Sequence, residues 1–263
     1  GALDHFGLTL KEMWLTHGHL DHAGAAYDIR ERTGVPVHPM SPLCKIMWWK
    51  DNEPGKFSQA NKFVSIKEYI WHKIFGEYVI DHSIASATGL FDIHKLQWCE
   101  AALEKAGIDA HQLSLPVPVL HKKYRSTATP STPPAIGNDV PFFIGSSDGC
   151  MANLGTGIID TTKAALTIGT SGAVRTTVAQ PLVDKHRRLF SYRVTDNFYV
   201  TGGPVNNGGI ILKWFAEQFL NRSFTKETDF AWLDPMLSSI QQGADKLIFL
   251  PYLLGERAPI WNA

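Results

Sequence analysis

The sequence predicts an α/β fold, because apolar runs of strand length alternate with segments that carry helix start and stop signals. The strand-like runs lead into turns that contain glycine, and they lie at 140–144, 164–168 and 198–201. The helix signals lie at 41–53, 65–76 and 98–107. With 263 residues, 44% of them hydrophobic, the chain is large enough for one large or two modest domains.

Composition excludes several classes of function. The formal net charge is zero, which gives no electrostatic reason to expect binding to nucleic acid or to an anionic membrane. No apolar run approaches the length of a membrane span, and the start lacks the features of a signal peptide. The cysteines (Cys44, Cys99 and Cys150) are odd in number and far apart, so we expect neither a disulfide framework nor a cysteine metal site. We therefore expect a cytoplasmic protein.

The first residues carry a pattern typical of metal ligands. A strand-like run, 11–15, precedes His17, His19, Asp21 and His22, and a helix is expected at 23–32. Two imidazoles separated by one residue project to the same side of an extended segment. Neutral imidazoles with a carboxylate suit zinc or iron.

This pattern resembles that of the metallo-β-lactamase fold hydrolases over Leu8 to Val37. The resemblance implies a dinuclear site in which such residues bind metal and activate water. A complete site needs further ligands, and the later histidines form no second cluster. We interpret residues 1–36 as a fragment of such a hydrolase joined to another protein, with Zn²⁺ bound only if the motif is functional.

Three helices are predicted before residue 110. Ser41-Pro42 opens the first, whose apolar face is Leu43, Ile46 and Met47 and which ends at 53–55. A capping box at Ser65 to Glu68 opens the second, which Gly76 ends. Its inward face is predicted to be Ile66, Tyr69, Ile70 and Ile74. The third runs from Trp98 to Ala106 and is closed by Gly107. The Pro-rich stretch 116–141 is predicted to be irregular and exposed.

The stretch 142–175 carries the chemistry. Asp148 follows a strand, 140–144, that is predicted to be buried, and carboxylates on loops at strand ends are well placed for reaction. A second strand leads into Gly169-Thr170-Ser171-Gly172, whose backbone N–H groups and hydroxyls can hold phosphate oxygens. Together they suggest phosphoryl transfer, with one group accepting a proton. Taken singly, the turn can be a plain hairpin and Asp148 a helix cap or an Asx turn.

A second glycine-rich segment, 202–209, follows a strand and precedes a helix predicted at 210–221. Such a turn at a helix N-terminus can contact an anion or a nucleotide, or it can be only a turn.

Several segments resemble the FGGY family of carbohydrate kinases. They are MSPLCKIMWWKDN at 40–52, DHSIASATGLFD at 81–92 and GERAP at 255–259, and TGVPVHPM at 33–40 is similar to the gluconokinase branch. The resemblance covers residues 33–263, and it places a junction within 33–38. It implies a truncated two-domain actin/hexokinase-like (ribonuclease H-like) ATPase fold, with 37–160 in the first kinase domain and 161–263 in the second.

The resemblance also implies roles for individual residues. Asp148 falls at the catalytic base, and Gly169, Thr170 and Ser171 fall at the ATP phosphates, with Mg²⁺ expected beside them. Gly209 and Lys213 fall near ATP. The implied substrate is a sugar or sugar acid, with gluconate favoured, and a homodimer is compatible with the sequence. The family's phosphate-binding first hairpin and its adenosine-enclosing region are expected to be missing.

The sequence thus predicts an ATP-dependent carbohydrate kinase that is gluconokinase-like and impaired by truncation. The alternatives are a metal-dependent hydrolase acting through the four N-terminal ligands, or a fusion fragment that is not catalytic.

Overall fold

A computed structural model describes residues 28–124, 137, 139–186, 188–222, 232–250, 252 and 255–261. The metal-ligand motif, the strand predicted at 11–15 and most of the Pro-rich stretch lie outside these residues. Within them, the helices are all too short or too polar to cross a membrane.

The first half of the described chain is mainly helical. Its helices are α1 (Pro42–Asn52), α2 (Pro54–Gln59), α3 (Ile66–Phe75), α4 (His82–Ala87) and α5 (Glu100–Ala106). Short strands pair between them. β1 (Val79–Asp81) is parallel to β4 (Leu115–Val117), while β2 (Phe91–Asp92) pairs with β3 (Gln97–Trp98), and β5 (Lys122–Tyr124) pairs with β6 (Pro141–Phe143).

Local signals explain where these helices begin and end. The Ser41 hydroxyl accepts a hydrogen bond from the backbone N–H of Cys44, and Pro42 occupies the first turn of α1. The backbone N–H of Ser65 donates to Glu68 Oε2 at 2.7 Å, which is the expected reach-back of a capping box. Gly76 and Gly107 end α3 and α5 in the left-handed region, with φ of 73° and 71°. The three predicted helices are confirmed, except that the third begins at Glu100 and the predicted first residue, Trp98, lies in β3.

The predicted inward face of α3 is wrong. Ile66, Tyr69 and Ile70 are exposed, whereas Glu68 and Trp71 are buried. The indole of Trp71 packs in a cluster with Val79, Val117 and Ile144, and this turns the aliphatic side chains outward. Burying one large aromatic ring removes more apolar surface from water than burying one isoleucine, so the tryptophan sets the rotation of the helix.

Residues 28–36 are packed within the same folded unit. Residues 28–33 are helical, and Ile29 joins the main core, in which Leu43, Phe91 and Ile93 are almost fully buried. Val35 belongs to a second core cluster with Phe190 and Val200. The backbone N–H of Ser191 donates to the carbonyl of Gly34 at 2.8 Å. This end of the segment that the sequence assigned to a separate fragment therefore contacts both halves of the described chain.

The second half is built on a four-stranded antiparallel sheet of order β7-β8-β10-β9. Its strands are β7 (Ala165–Ile168), β8 (Gly172–Val178), β9 (Phe190–Thr195) and β10 (Phe198–Val205). The helices of this half are α6 (Asp148–Gly155), α7 (Gly209–Phe219) and α8 (Leu233–Ser238), of which α6 packs against β8.

Two predictions are corrected in this half. β10 continues through Gly202 and Gly203, which were expected to form a turn. Gly202 pairs with Arg175 of β8 so closely that a Cβ there would overlap the carbonyl oxygen of Val174. The 140–144 strand forms, but burial is confined to Ile144.

Candidate active site

Asp148 is the first residue of α6 and its side chain is exposed. Ser147 is the N-cap, and its hydroxyl accepts from the backbone N–H of Cys150. Asp148 Oδ1 accepts from the backbone N–H of Gly149 at 2.7 Å. The capping role considered for Asp148 thus belongs to Ser147, which leaves the Asp148 carboxylate facing solvent at a fixed helix end.

A buried polar network holds the loop that carries Asp148. The Asp81 side chain is 0% exposed and accepts from Lys67 Nζ at 2.7 Å and from the hydroxyl of Ser83. It also caps α4 by accepting from the backbone N–H groups of Ser83 and Ile84.

The same network reaches the residues directly before Asp148. Ser146 Oγ donates to Ser83 Oγ at 2.6 Å, and the backbone N–H of Ser147 donates to Ser83 Oγ at 2.8 Å. Lys67 Nζ also donates to the carbonyl of Ser146 at 3.3 Å. Sequence analysis used residues 81–92 only for the family resemblance and missed their contact with the loop that carries Asp148, since the partners are more than sixty residues apart.

The predicted phosphate turn joins β7 to β8, and Gly169, Thr170 and Ser171 are all exposed. The start of α7 holds it in place. The N–H of Gly209 donates to the carbonyl of Gly169 at 2.7 Å, and the N–H groups of Gly208 and Ile210 donate to the carbonyl of Thr170. The backbone N–H groups at the start of α7 therefore support the turn. The N–H of Gly209 already donates to Gly169, so it is not free to bind a phosphate oxygen in this arrangement.

A second buried carboxylate, Glu256, holds the chain just before α7. Only 1% of Glu256 is exposed, and it accepts from the backbone N–H groups of Asn206 and Arg257 and from Asn207 Nδ2. Arg257 in turn donates through Nε to Asn206 Oδ1 at 2.7 Å. In the sequence, the GERAP segment only indicated a family. In the structure, its glutamate holds the residues before α7 through a contact with Asn206, which lies fifty residues away in the chain.

The helix that begins with Asp148 packs against β8, and the phosphate turn leads directly into the same strand. Asn153 of α6 donates to Thr177 Oγ1 at 2.9 Å, and Arg175 lies beside Gly149. Burial raises the pKa of the Tyr192 phenol above its ordinary value. The charges of Arg175 and Arg257 oppose this shift, and the charge of Asp148 adds to it. The structure thus brings the predicted base and the predicted phosphate turn to the same sheet.

The other predicted site residues are placed as follows. Lys213 is on the exposed side of α7, with Nζ 3.8 Å from Glu217 Oε1. His17, His19, Asp21 and His22 lie outside the described residues, so the zinc site stays a prediction. Among the residues that are described, histidine, cysteine and carboxylate side chains do not gather in groups of three that could hold a metal ion.

Comparison with known proteins gives a consistent result. Residues 14–155 match the N-terminal domain of the FGGY family of carbohydrate kinases, so the match overlaps the segment assigned by sequence to a hydrolase fragment. The chain is 44% identical over 242 residues to a gluconokinase from Bacillus subtilis and 29% identical over 224 residues to a xylulose kinase from Lactococcus lactis. These alignments cover 90% and 84% of this chain, and 47% and 43% of the relatives.

Solved structures show the same likeness. A gluconate kinase from Lactobacillus acidophilus superposes with a TM-score of 0.81 at 38% identity, over 92% of this chain and 49% of that one. A ligand-bound xylulose kinase from the same species gives 0.82 at 39% identity, with the same coverage. The chain spans about half the length of the relatives it matches. The α/β architecture, the family match and the superposed kinases agree, and the chain belongs to the FGGY family of carbohydrate kinases.

Proposed function

We propose that the whole protein is an ATP-dependent carbohydrate kinase of the gluconokinase type, with a sugar acid such as gluconate as its favoured substrate. The observation that carries the proposal is Asp148, an exposed carboxylate at the start of a helix whose preceding loop is held by a buried network and which packs on β8, the strand that follows the phosphate turn. Family membership supports the reaction class, and the 44% identical gluconokinase supports the substrate. We also propose that 37–160 and 161–263 are parts of the two kinase domains, since β7 to β10 fall entirely within the second range.

In the proposed reaction Asp148 accepts the proton of the attacking hydroxyl while the terminal phosphoryl group of ATP moves to that oxygen. The N–H of Gly149 holds Oδ1 of the carboxylate, which leaves the other oxygen to accept the proton. The exposed N–H groups and hydroxyls of Thr170 and Ser171 are suited to hold the phosphate oxygens. Mg²⁺ fits such a site, because it binds through one or two carboxylates together with substrate phosphates, and it neutralises phosphate charge when bound.

The test is a coupled ADP-release assay with gluconate, xylulose and glycerol as substrates. It should use the complete kinase that carries this chain, or residues 28–263 joined to the flanking segments of a gluconokinase relative, so that the packed residues 28–36 are kept. Turnover that needs ATP and prefers gluconate is expected. ADP release that is independent of every sugar and sugar acid would contradict the proposal.

Nucleotide binding tests the phosphate turn separately. Thr170→Ala removes one hydroxyl and should weaken ATP binding, whereas Asp148→Asn should leave the ATP dissociation constant nearly unchanged. Calorimetric titration of ATP into each variant measures both effects. An unchanged affinity for Thr170→Ala would remove this residue from the proposed site.

A further inference from the structure

Arg175 occupies the space beside the residue that follows Asp148. A Cβ atom on Gly149 would lie 3.2 Å from Arg175 Nε, 3.4 Å from Nη2 and 3.5 Å from Cζ. The contact with Nε is tighter than most Cβ contacts, so a side chain at 149 would require the guanidinium to shift by a few tenths of an ångström. The glycine after Asp148 therefore allows the arginine to lie this close to the start of α6.

The protein itself makes little use of this guanidinium. Within the described residues, its hydrogen bond is from Nη1 to Thr167 Oγ1 at 3.3 Å, and it takes part in no ion pair. Two other arginines of this half differ, since Arg188 pairs with Asp184 and Arg193 pairs with Asp196. Arg175 is only partly exposed and has no counter-charge among the described residues, so an anion that reaches it can form charge-assisted hydrogen bonds with the guanidinium.

The geometry also identifies which edge of the guanidinium is available. Nη1 is directed to Thr167, whereas Nε and Nη2 line the space beside Gly149. Nε and Nη2 form a parallel pair of N–H donors, and this fork matches the two oxygens of a carboxylate. This edge of the guanidinium therefore lies next to the start of α6, where Asp148 is the first residue.

We propose that Arg175 binds the carboxylate of the substrate and thereby selects sugar acids over neutral sugars of the same length. This inference rests on the proposed function, in which Asp148 receives the hydroxyl that is phosphorylated. An aldonate carries its carboxylate and its primary hydroxyl at opposite ends of a short chain. Arg175 lies beside Gly149, the residue that follows Asp148, and the guanidinium and the Asp148 carboxylate form no ion pair in the described part of the chain, so the two ends of one substrate can engage them separately.

The kinetic test compares gluconate with sorbitol, a neutral polyol that also has six carbons. Arg175→Gln should lower kcat/KM for gluconate by about 10- to 150-fold, because a hydrogen bond to a charged group is lost. It should lower kcat/KM for sorbitol far less, because sorbitol has no carboxylate. Arg175→Lys keeps the charge but loses the fork, so its effect on gluconate should be intermediate. Gly149→Gln displaces the guanidinium and should act in the same direction. Arg188→Gln is the matched control and should leave the ratio of the two substrates unchanged.

An equal loss of kcat/KM with gluconate and with sorbitol would overturn the inference, because the guanidinium would then bind the phosphoryl group or stabilise the fold. The proposed function would survive that result, since both substrates would still be phosphorylated by the unchanged enzyme.

Direct binding gives a second readout that does not need turnover. Titration of gluconate into the 263-residue chain, followed by NMR, should give a dissociation constant that rises about 10-fold or more in Arg175→Gln and not in Arg188→Gln. Far-UV circular dichroism of each variant controls for folding. Equal gluconate affinity in the unchanged chain and in Arg175→Gln would overturn the inference even if no kinase activity were found.

Discussion

Replacing Asp81 with alanine tests the network that fixes the loop before Asp148. The carboxylate is fully buried and accepts from Lys67 Nζ, from the Ser83 hydroxyl and from two backbone N–H groups at the start of α4. The change removes a helix cap and leaves the partly buried Lys67 ammonium without its counter-charge. Ser83 also loses the partner that orients its hydroxyl toward Ser146 and Ser147.

The expected cost follows from these contacts. Loss of an aspartate cap costs about 1 kcal/mol. Breaking a buried ion pair costs about 3–5 kcal/mol, but the Lys67 side chain is 28% exposed and can turn toward water, which reduces that figure. We therefore expect Asp81→Ala to lower the free energy of unfolding by about 2–4 kcal/mol. With a urea m-value of about 3 kcal/mol/M, the midpoint should fall by about 1 M.

Urea unfolding followed by tryptophan fluorescence measures this shift. Asp160→Ala is the control, because Asp160 also accepts from a nearby backbone N–H, that of Thr162 at 2.8 Å, but at an exposed turn. Its midpoint should stay close to that of the unchanged protein. If both variants shift the midpoint equally, burial of Asp81 does not stabilise the loop and the reasoning is refuted.

Three further predictions concern the phosphate turn, pH and metal. In Gly208→Ala the new Cβ would lie 2.6 Å from the Ser171 carbonyl group and 2.8 Å from Gly169 O, so the phosphate turn must shift and ATP affinity should fall by about 10-fold. Gly55→Ala is the control, because its Cβ would meet nothing within 4 Å, and it should leave ATP affinity unchanged. Burial and Arg193 lower the pKa of His82 below the ordinary 6.5, so its contribution to stability is complete above that pH and is lost as the pH falls below it. Urea midpoints at pH 7.5 and 5.5 should therefore differ less in His82→Gln than in the unchanged protein, and an equal difference would contradict this. Purified protein should hold clearly less than one tightly bound zinc per chain by atomic absorption, and a stoichiometric zinc that survives mild chelation would favour the hydrolase alternative.

Features fixed by a few neighbouring residues could be predicted from the sequence. The start of α1 follows from Ser41 and Pro42, and the ends of α3 and α5 follow from glycines in the left-handed region. Asp148 and the Gly169 turn were found because each follows a strand-like run and because a family resemblance linked them. These signals are local, and the structure places both elements as expected.

Features that depend on distant partners could not be predicted. The rotation of α3 follows from the contact of Trp71 with Val117 and Ile144, which are far along the chain. The roles of Asp81 and Glu256 follow from hydrogen bonds to residues that no short pattern connects with them. The glycine-rich sequence around Gly202 predicted a turn, whereas β10 continues there. The reason for the glycine is the close approach of β8, which the local sequence does not show.

The most direct test of the central claim is single-turnover phosphoryl transfer with Asp148→Asn in the complete kinase or the joined protein. Asparagine keeps the shape of the side chain and can still accept a hydrogen bond from Gly149, but it cannot take the proton of the substrate hydroxyl. The rate of gluconate phosphorylation should fall about a hundred- to ten-thousand-fold while ATP binding stays nearly unchanged. An equal rate in Asp148→Asn and the unchanged protein would show that this carboxylate is only the first residue of a helix.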